Sequence, residues 1–127
     1  MSNSISEFCA GILKLNKGIR FAGIANSEGK LTGHAYRPGL VTLLTQKESE
    51  ISVLQSLIRA STRRGFEKKL GRVLFSYTRY EKVKRVTIDM KTSSGGIYIF
   101  MISFDMDVDP EPIILSKILP LLQELVL

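Results

Sequence analysis

The sequence of 127 residues has little of the residue types that build disulfides and metal centres. It contains one cysteine, Cys9, and one histidine, His34, and it has no tryptophan. A single thiol cannot form a disulfide within one chain, and one cysteine with one histidine cannot supply the four ligands of a structural zinc site. The composition therefore excludes a disulfide scaffold and a Cys/His zinc module.

Long apolar runs and nucleotide-binding motifs are also missing. No run approaches the roughly 20 apolar residues that span a bilayer, and the N-terminal residues lack the pattern of a secretory signal. We therefore expect a cytoplasmic protein with no membrane partner. Neither GxxxxGK[ST] nor GxGxxG occurs, so the glycine-rich loops that hold phosphates in P-loop and Rossmann proteins are absent.

The residues that are present suit one folded domain. Apolar residues make up 44% of the chain and charged residues 24%. This length and apolar content match the size of one domain with a continuous core. Because the sequence shows no internal repeat and no linker, we expect a single domain over residues 1–127.

Positive charge is concentrated in the middle of the chain. The formal net charge is +6, and the segment 59–85, RASTRRGFEKKLGRVLFSYTRYEKVKR, holds ten Lys or Arg against two Glu. Eight of these cations form a candidate partner or nucleic-acid patch: Arg59, Arg63, Arg64, Lys68, Lys69, Lys82, Lys84 and Arg85. Tyr77 and Tyr80 offer stacking faces nearby. No helix-turn-helix, zinc-finger or RNP-like pattern accompanies the patch, so a solvated or protein-facing surface is the favoured interpretation. Nucleic acid is the second interpretation and a membrane surface the third.

Apolar periodicity predicts a helix, a hairpin and a second helix in the first half of the chain. Helical spacing places Cys9 on the apolar face of the first helix, where a free thiol acts as a small hydrophobe. Residues 26–29, NSEG, suit a hairpin turn. Thr45 and Glu48 form a capping box that opens a helix to about Leu70. Its apolar face is predicted from Ile51, Leu54, Leu57, Ile58 and Phe66.

Three strands and a closing helix are predicted in the second half. The strand-like runs lie at 72–80, 83–91 and 96–107, and TSSGG at 92–96 forms a loop between the last two. The third run is the most apolar, so we expect it at the centre of the sheet. Asp109 and Pro110 suit an N-cap and a first helical position, respectively. Pro120 must kink or interrupt the last helix, because it lacks a backbone N–H.

Two residue sets could carry chemistry, and both are interpreted as structural. Asp105, Asp107, Asp109 and Glu111 are spaced by two, as in the start of a calcium loop. However, the sixth loop position is proline and the twelfth is serine, so we predict a strand end that runs into a helix N-cap and no metal. Cys9 and His34 lack any local nucleophile signature. We expect no cofactor and no enzymatic activity.

The order α, β-hairpin, α, three antiparallel strands, α defines an α+β domain. This order, the size and the early GIRFAGIANSEGKL hairpin resemble roadblock/dynein light chain domains of the profilin-like class. The segments KLNKGIRFAGIANSEGKL and RVLFSYTRYEKVKRVTIDM are similar to uncharacterised archaeal proteins of that type. The resemblance implies a roadblock-like five-stranded antiparallel sheet flanked by helices. It also implies a homodimer or heterodimer that pairs equivalent helices or edge strands, and a platform for small GTPases or a scaffold subunit. The basic end of the middle helix departs from the usual pattern.

Three functional hypotheses remain open at this point. The first is a non-enzymatic, dimer-forming protein-interaction module, a scaffold or regulator of small GTPases. The second is a nucleic-acid-binding or regulatory protein that uses the basic segment 59–85. The third is a PAS-like or profilin-like sensor of a small ligand, because such folds can enclose a pocket.

Overall fold

Helices and strands follow one another in the predicted order. The structure is a computed structural model, and it describes residues 2–92, 95–125 and 127. Its elements are α1 (Ser2–Leu13), β1 (Ile19–Asn26), β2 (Leu31–Tyr36), α2 (Gln46–Arg64), α3 (Glu67–Leu70), β3 (Ser76–Arg79), β4 (Lys84–Lys91), β5 (Ile97–Phe104), α4 (Pro110–Ile113), a π-helical segment (Ile114–Ile118) and α5 (Leu119–Glu124). None of these helices combines the length and the apolar character needed to cross a membrane.

The five strands form one antiparallel sheet in the order β2-β1-β5-β4-β3. The predicted central position of β5 is confirmed. In the β1–β2 turn, the Asn26 side chain accepts backbone hydrogen bonds from Glu28 and Lys30, and Gly29 takes a positive φ of 85°. Of the predicted 92–96 loop, Ser93 and Ser94 lie outside the described residues.

The sheet is covered by helices on both faces. On one face, α1 and the C-terminal helical segments pack over Ile24, Phe100 and Ile102. On the other face, α2 packs over Ala25, Ile99, Met101 and their neighbours. Successive residues of β5 point to opposite faces, and both sets are buried. This explains why the strand is apolar along nearly its whole length.

The buried face of α2 differs from the one predicted. Thr45 and Glu48 form the predicted capping box, but the buried residues of the helix are Val53, Ser56 and Ala60. These side chains are small or short and let the helix lie close to the sheet, where Ala25 is also small. Of the larger residues on the predicted apolar face, Leu57 is partly buried against the sheet, and Ile51, Leu54, Ile58 and Phe66 are exposed.

Two elements are shorter than their sequence patterns predict. Helix α2 ends at Arg64 with Gly65 as its C-cap, and α3 forms a separate turn that ends at Gly71. The predicted strand 72–80 is reduced to the four residues of β3, which pairs only with β4 and lies at the sheet edge. Because an edge strand forms hydrogen bonds with one neighbour only, the ends of β3 are held less firmly than those of a central strand, in agreement with its short length.

The C-terminal helix begins as predicted, and its regular α-helical turns are interrupted just before Pro120. The Asp109 side chain accepts a hydrogen bond from the Glu111 amide, and Pro110 takes the first helical position. A regular α-helix would set the Pro120 ring against the Ser116 carbonyl. The backbone instead widens into the π-helical segment just before Pro120. Widening the turn accommodates the missing N–H without ending the helix.

Candidate functional site: an arginine cavity and an exposed apolar stripe

A cavity of about 310 Å³ lies between α2 and the hairpin of β3 and β4. We call it the arginine cavity, because three arginines reach it from two elements. It is lined by Ser52, Ser56, Arg59, Arg63, Val73, Phe75, Ser76, Tyr77, Thr78, Tyr80, Arg85 and Thr87. Arg59 and Arg63 are one helical turn apart on α2, and Arg85 on β4 pairs with Thr78 of β3. The fold thus brings residues 26 positions apart in sequence to one site.

Hydroxyl groups hold two of the three arginines. Arg59 donates from Nη2 to the Ser56 hydroxyl at 3.2 Å, and Arg63 donates from Nη1 to the Ser76 hydroxyl. Both ion pairs found among residues 2–92, 95–125 and 127 involve Asp105, on another part of the surface. A hydroxyl orients a guanidinium without neutralising it, so the cavity keeps its positive charge.

The predicted basic patch divides into separate groups in the structure. Arg59, Arg63 and Arg85 converge on the arginine cavity. Lys68 and Lys69 are exposed on α3, and Lys82 is exposed in the turn between β3 and β4; none of these three lines the cavity.

Arg64 faces a neighbouring cavity of about 290 Å³, together with Glu67 and Asp89. Partial burial raises the pKa of Asp89, while the charges of Arg64 and Arg63 oppose that shift. Arg64 therefore shares its cavity with two carboxylates, whereas no Asp or Glu of the described residues lines the arginine cavity.

Lys84 is not part of the exposed patch, and that prediction was wrong. Its side chain is 7% exposed, and Nζ donates a hydrogen bond to the Val108 carbonyl at 2.6 Å. Alternation along β4 puts Lys84 on the same face as buried Val86 and Ile88. The sequence already contained this signal, because the same alternation separates Lys84 from Arg85.

A stripe of large apolar side chains runs along the outer face of α2. Ile51, Leu54 and Ile58 are 49%, 48% and 67% exposed, and their spacing of three and four residues aligns them on one side of the helix. We call these three residues the α2 stripe. Val41 and Leu43, in the segment before the helix, are also exposed. The sequence pattern identified these residues as part of the apolar face of the helix, and the structure places them at the surface.

The acidic run near the C-terminus is occupied by structural contacts. Asp105 accepts hydrogen bonds from Arg37 and Arg20, and these contacts, led by that with Arg37, hold the pKa of Asp105 below its usual value. Asp109 caps α4. Within the described ranges, no group of three or more His, Cys, Asp or Glu side chains is placed to hold a metal ion.

Cys9 and His34 do not meet. Cys9 is fully buried, with its thiol 3.9 Å from the Gly33 carbonyl, and burial raises the pKa of the thiol to about 12. His34 is exposed and lies on the other face of β2, with its ring 5.5 Å from the Tyr36 ring. The interpretation of Cys9 as a small hydrophobe agrees with this burial.

The strand order, with helices on both faces, defines the fold of roadblock/LC7 domains, so the resemblance is confirmed at the level of the fold. A gliding protein, MglB from Thermus thermophilus, superposes with a TM-score of 0.69 at 13% identity over 97% of this chain and 82% of that chain. A roadblock/LC7 domain from Streptomyces avermitilis gives a TM-score of 0.68 at 10% identity, covering 94% and 92%. An MglB structure with a tetrameric arrangement gives 0.68 at 11% identity, covering 97% and 90%. Comparisons with protein-family models and with curated proteins find no match.

Proposed function

We propose that this protein is a non-enzymatic interaction module that dimerises through the α2 stripe and serves as a scaffold or regulator of small GTPases. The α2 stripe carries the proposal. Three large apolar side chains are exposed together on one helix, and contiguous apolar surface of this kind is typical of protein–protein interfaces. The core does not need these residues, because Val53 and Ala60 already fill the contact with the sheet.

The occupant we propose for the α2 stripe is a second copy of the chain. A two-fold axis would place the same stripe on both partners, so that apolar side chains meet apolar side chains. Burying the exposed half of each side chain would contribute on the order of 1 kcal/mol per residue. An MglB of the same fold occurs in a tetrameric arrangement, which supports self-association as a property that this fold permits.

The edge strand β3 is a second element suited to pairing. It pairs with β4 on one side only, so its other side presents unpaired backbone groups. Arg63 of α2 donates a hydrogen bond to Ser76 of β3, so the C-terminal part of α2 lies beside this edge. A second copy could therefore contact the helix and the strand together.

The small-GTPase part of the proposal rests on the likeness of fold to roadblock/LC7 domains. The absence of P-loop and Rossmann glycine motifs from the sequence is consistent with a chain that contacts a nucleotide-binding protein instead of binding the nucleotide in such a loop.

Sedimentation equilibrium of the purified protein tests the dimer. We expect a dimer at micromolar concentration, and Ile58→Asp should shift it to monomer because a carboxylate cannot be buried unpaired in an apolar interface. Leu115→Asp is the matched control: Leu115 is 45% exposed but lies with the helices on the opposite face of the sheet. A wild-type protein that stays monomeric at high concentration contradicts the proposal.

Binding to purified small GTPases from the same cell tests the partner class. Each GTPase is loaded with GDP or with a GTP analogue and titrated with wild type, Ile58→Asp and Leu115→Asp. We expect one GTPase to bind wild type and Leu115→Asp equally and Ile58→Asp more weakly. If the protein dimerises but binds none of them, the dimer stands and the partner class is wrong.

A further inference from the structure

The arginine cavity has the chemistry of a phosphate site. We propose that it binds the phosphate group of a small phosphate monoester, with the organic part of the ligand against the aromatic wall of the cavity. One chain supplies the whole lining, so this inference goes beyond the proposed function and does not depend on dimerisation.

The charge balance of the cavity favours an anion. Arg59, Arg63 and Arg85 line it, and no Asp or Glu of the described residues does. A guanidinium has five N–H donors, and the contact of Arg59 with Ser56 and that of Arg63 with Ser76 each engage one nitrogen. The remaining donors are available for phosphate oxygens, whose geometry matches the arginine fork.

The hydroxyl groups of the lining add neutral donors around the same space. Ser52 of α2, Thr78 of β3 and Thr87 of β4 all reach the cavity. Thr87 pairs with Ser76 across the β3–β4 ladder, and Thr78 pairs with Arg85. Hydroxyl donors complete the hydrogen bonding of phosphate oxygens that arginines leave open. The donors lie on two strands and one helix, which keeps their spacing fixed.

The size and the aromatic wall define the class of ligand. A volume of about 310 Å³ is at the lower end of the roughly 300–1,000 Å³ typical of small-molecule pockets. Phe75, Tyr77 and Tyr80 line it, and such rings suit a flat organic group. A phosphate joined to one ring system or one sugar fits this space, whereas a nucleic-acid duplex does not.

The other exposed cations of segment 59–85 do not reach the interior of the cavity. Lys68, Lys69, Arg72, Arg79 and Lys82 are exposed but do not line it, so Arg59, Arg63 and Arg85 supply the positive charge of the lining. Asp89 lies within electrostatic reach of Arg63, and its negative charge partly offsets the positive charge of that arginine.

Calorimetric titration with phenyl phosphate tests the proposal at about 0.15 M salt, where exposed charges are largely screened. We expect saturable one-site binding to the wild type. Arg85→Gln and Arg59→Gln should each weaken it by about tenfold or more, the effect of losing one charge-assisted hydrogen bond. Lys69→Gln, which removes the same charge outside the cavity, should leave the affinity unchanged. Circular dichroism checks that each variant folds. If one of the two arginine variants does not fold, the other still tests the proposal.

Three further probes separate the sources of binding. Phenol lacks the phosphate and should not bind, while inorganic phosphate should bind more weakly than phenyl phosphate because it has no ring to contact the aromatic wall. A single-stranded oligonucleotide is the competing ligand. If the oligonucleotide binds, phenyl phosphate does not, and Lys68, Lys69 and Lys82 matter as much as Arg85, the basic segment is a nucleic-acid surface and the phosphate site is refuted. Absence of phenyl phosphate binding, or equal loss with Lys69→Gln, also overturns it.

Discussion

Asp105 and Arg37 are joined by two hydrogen bonds, at 2.7 Å and 3.2 Å, although they lie 68 residues apart in sequence. The pair connects the residue after β5 with the residue after β2, and Arg20 of β1 adds a third contact to Asp105 at 3.1 Å. The two guanidiniums and one carboxylate therefore hold together the ends of three strands. A bidentate pair of this kind is more ordered than most surface ion pairs.

Asp105→Asn should lower the free energy of unfolding at neutral pH by about 1 kcal/mol, the upper end for partly exposed ion pairs. The folded-state pKa of Asp105 is held low by Arg37 and Arg20. Its stabilisation is therefore present above the unfolded pKa, roughly 3.9, and is lost as the pH falls through the lower folded value. Urea unfolding of wild type and variant at neutral and acid pH measures the difference.

The matched control for Asp105 is Glu124→Gln on α5. Glu124 is exposed, and its replacement should change stability by less than about 0.5 kcal/mol. If the difference between wild type and Asp105→Asn stays constant from neutral pH to well below 4, the ion pairs do not supply the stabilisation.

Cys9 should be unreactive in the folded protein. Burial raises its pKa from 9.0 to about 12, and thiolate is the species that reacts with disulfide reagents. Ellman's reagent at pH 8 should label Cys9 only after denaturant is added. The control is Cys9→Ala combined with Leu115→Cys, which places one thiol at an exposed position and should react at once.

The raised pKa of Cys9 also predicts how the free energy of unfolding changes with pH. The pKa of Cys9 is higher in the folded protein than in the unfolded chain. Its contribution to the free energy of unfolding is therefore complete below about pH 9 and is lost as the pH rises towards 12. In Cys9→Ala this loss between pH 9 and 12 should be smaller. Rapid labelling of the native wild type at pH 8 would show that the thiol is accessible and would remove the basis for both expectations.

The sequence was most informative where local rules decide the structure. The Thr45–Glu48 capping box, the Asn26 turn and the Asp109–Pro110 helix start depend on neighbouring residues, and all three form as predicted. The central position of β5 also followed from local composition, because a strand buried on both faces must be apolar throughout.

Sequence reasoning failed where two alternatives had equal local support. Helix α2 has two sides that carry apolar residues, and the sequence pattern pointed to the one with the larger residues. The sheet instead accepts Val53 and Ala60, which allow closer approach. Likewise, the convergence of Arg59 with Arg85 depends on how α2 crosses the sheet. Such long-range geometry leaves no periodic signal in the chain.

Lys84 should matter for stability and not for binding. Its Nζ group donates to the Val108 carbonyl, so Lys84→Met leaves that carbonyl without this donor while keeping similar side-chain volume. We expect a loss of about 1–2 kcal/mol in the free energy of unfolding and unchanged affinity for phenyl phosphate. Lys82→Met, at an exposed position, should change neither. A Lys84→Met protein with wild-type stability would show that this buried contact contributes nothing.

Gly65 and Gly71 offer a paired test of the break between α2 and β3. Both are exposed and a Cβ would have ordinary space at each, with nothing nearer than 3.6 Å at Gly65 and nothing within 4 Å at Gly71. They differ in backbone conformation. Gly65 is helical, with φ of −62° and ψ of −17°, whereas Gly71 has φ of 86° and ψ of 174°, a region that is essentially restricted to glycine.

Alanine should therefore have opposite effects at these two positions. Gly65→Ala should raise the free energy of unfolding by about 0.4–1 kcal/mol, because alanine reduces the freedom of the unfolded chain without straining the helix. Gly71→Ala should lower it by about 1–3 kcal/mol, the cost of that backbone region for a residue with a Cβ. Urea unfolding measures both effects: the midpoint concentrations of the variants and the wild type are compared, provided that the free energy of unfolding depends on urea concentration with the same slope in each. Equal shifts of the same sign would mean that the positive φ at Gly71 does not control how the chain turns from α3 towards β3.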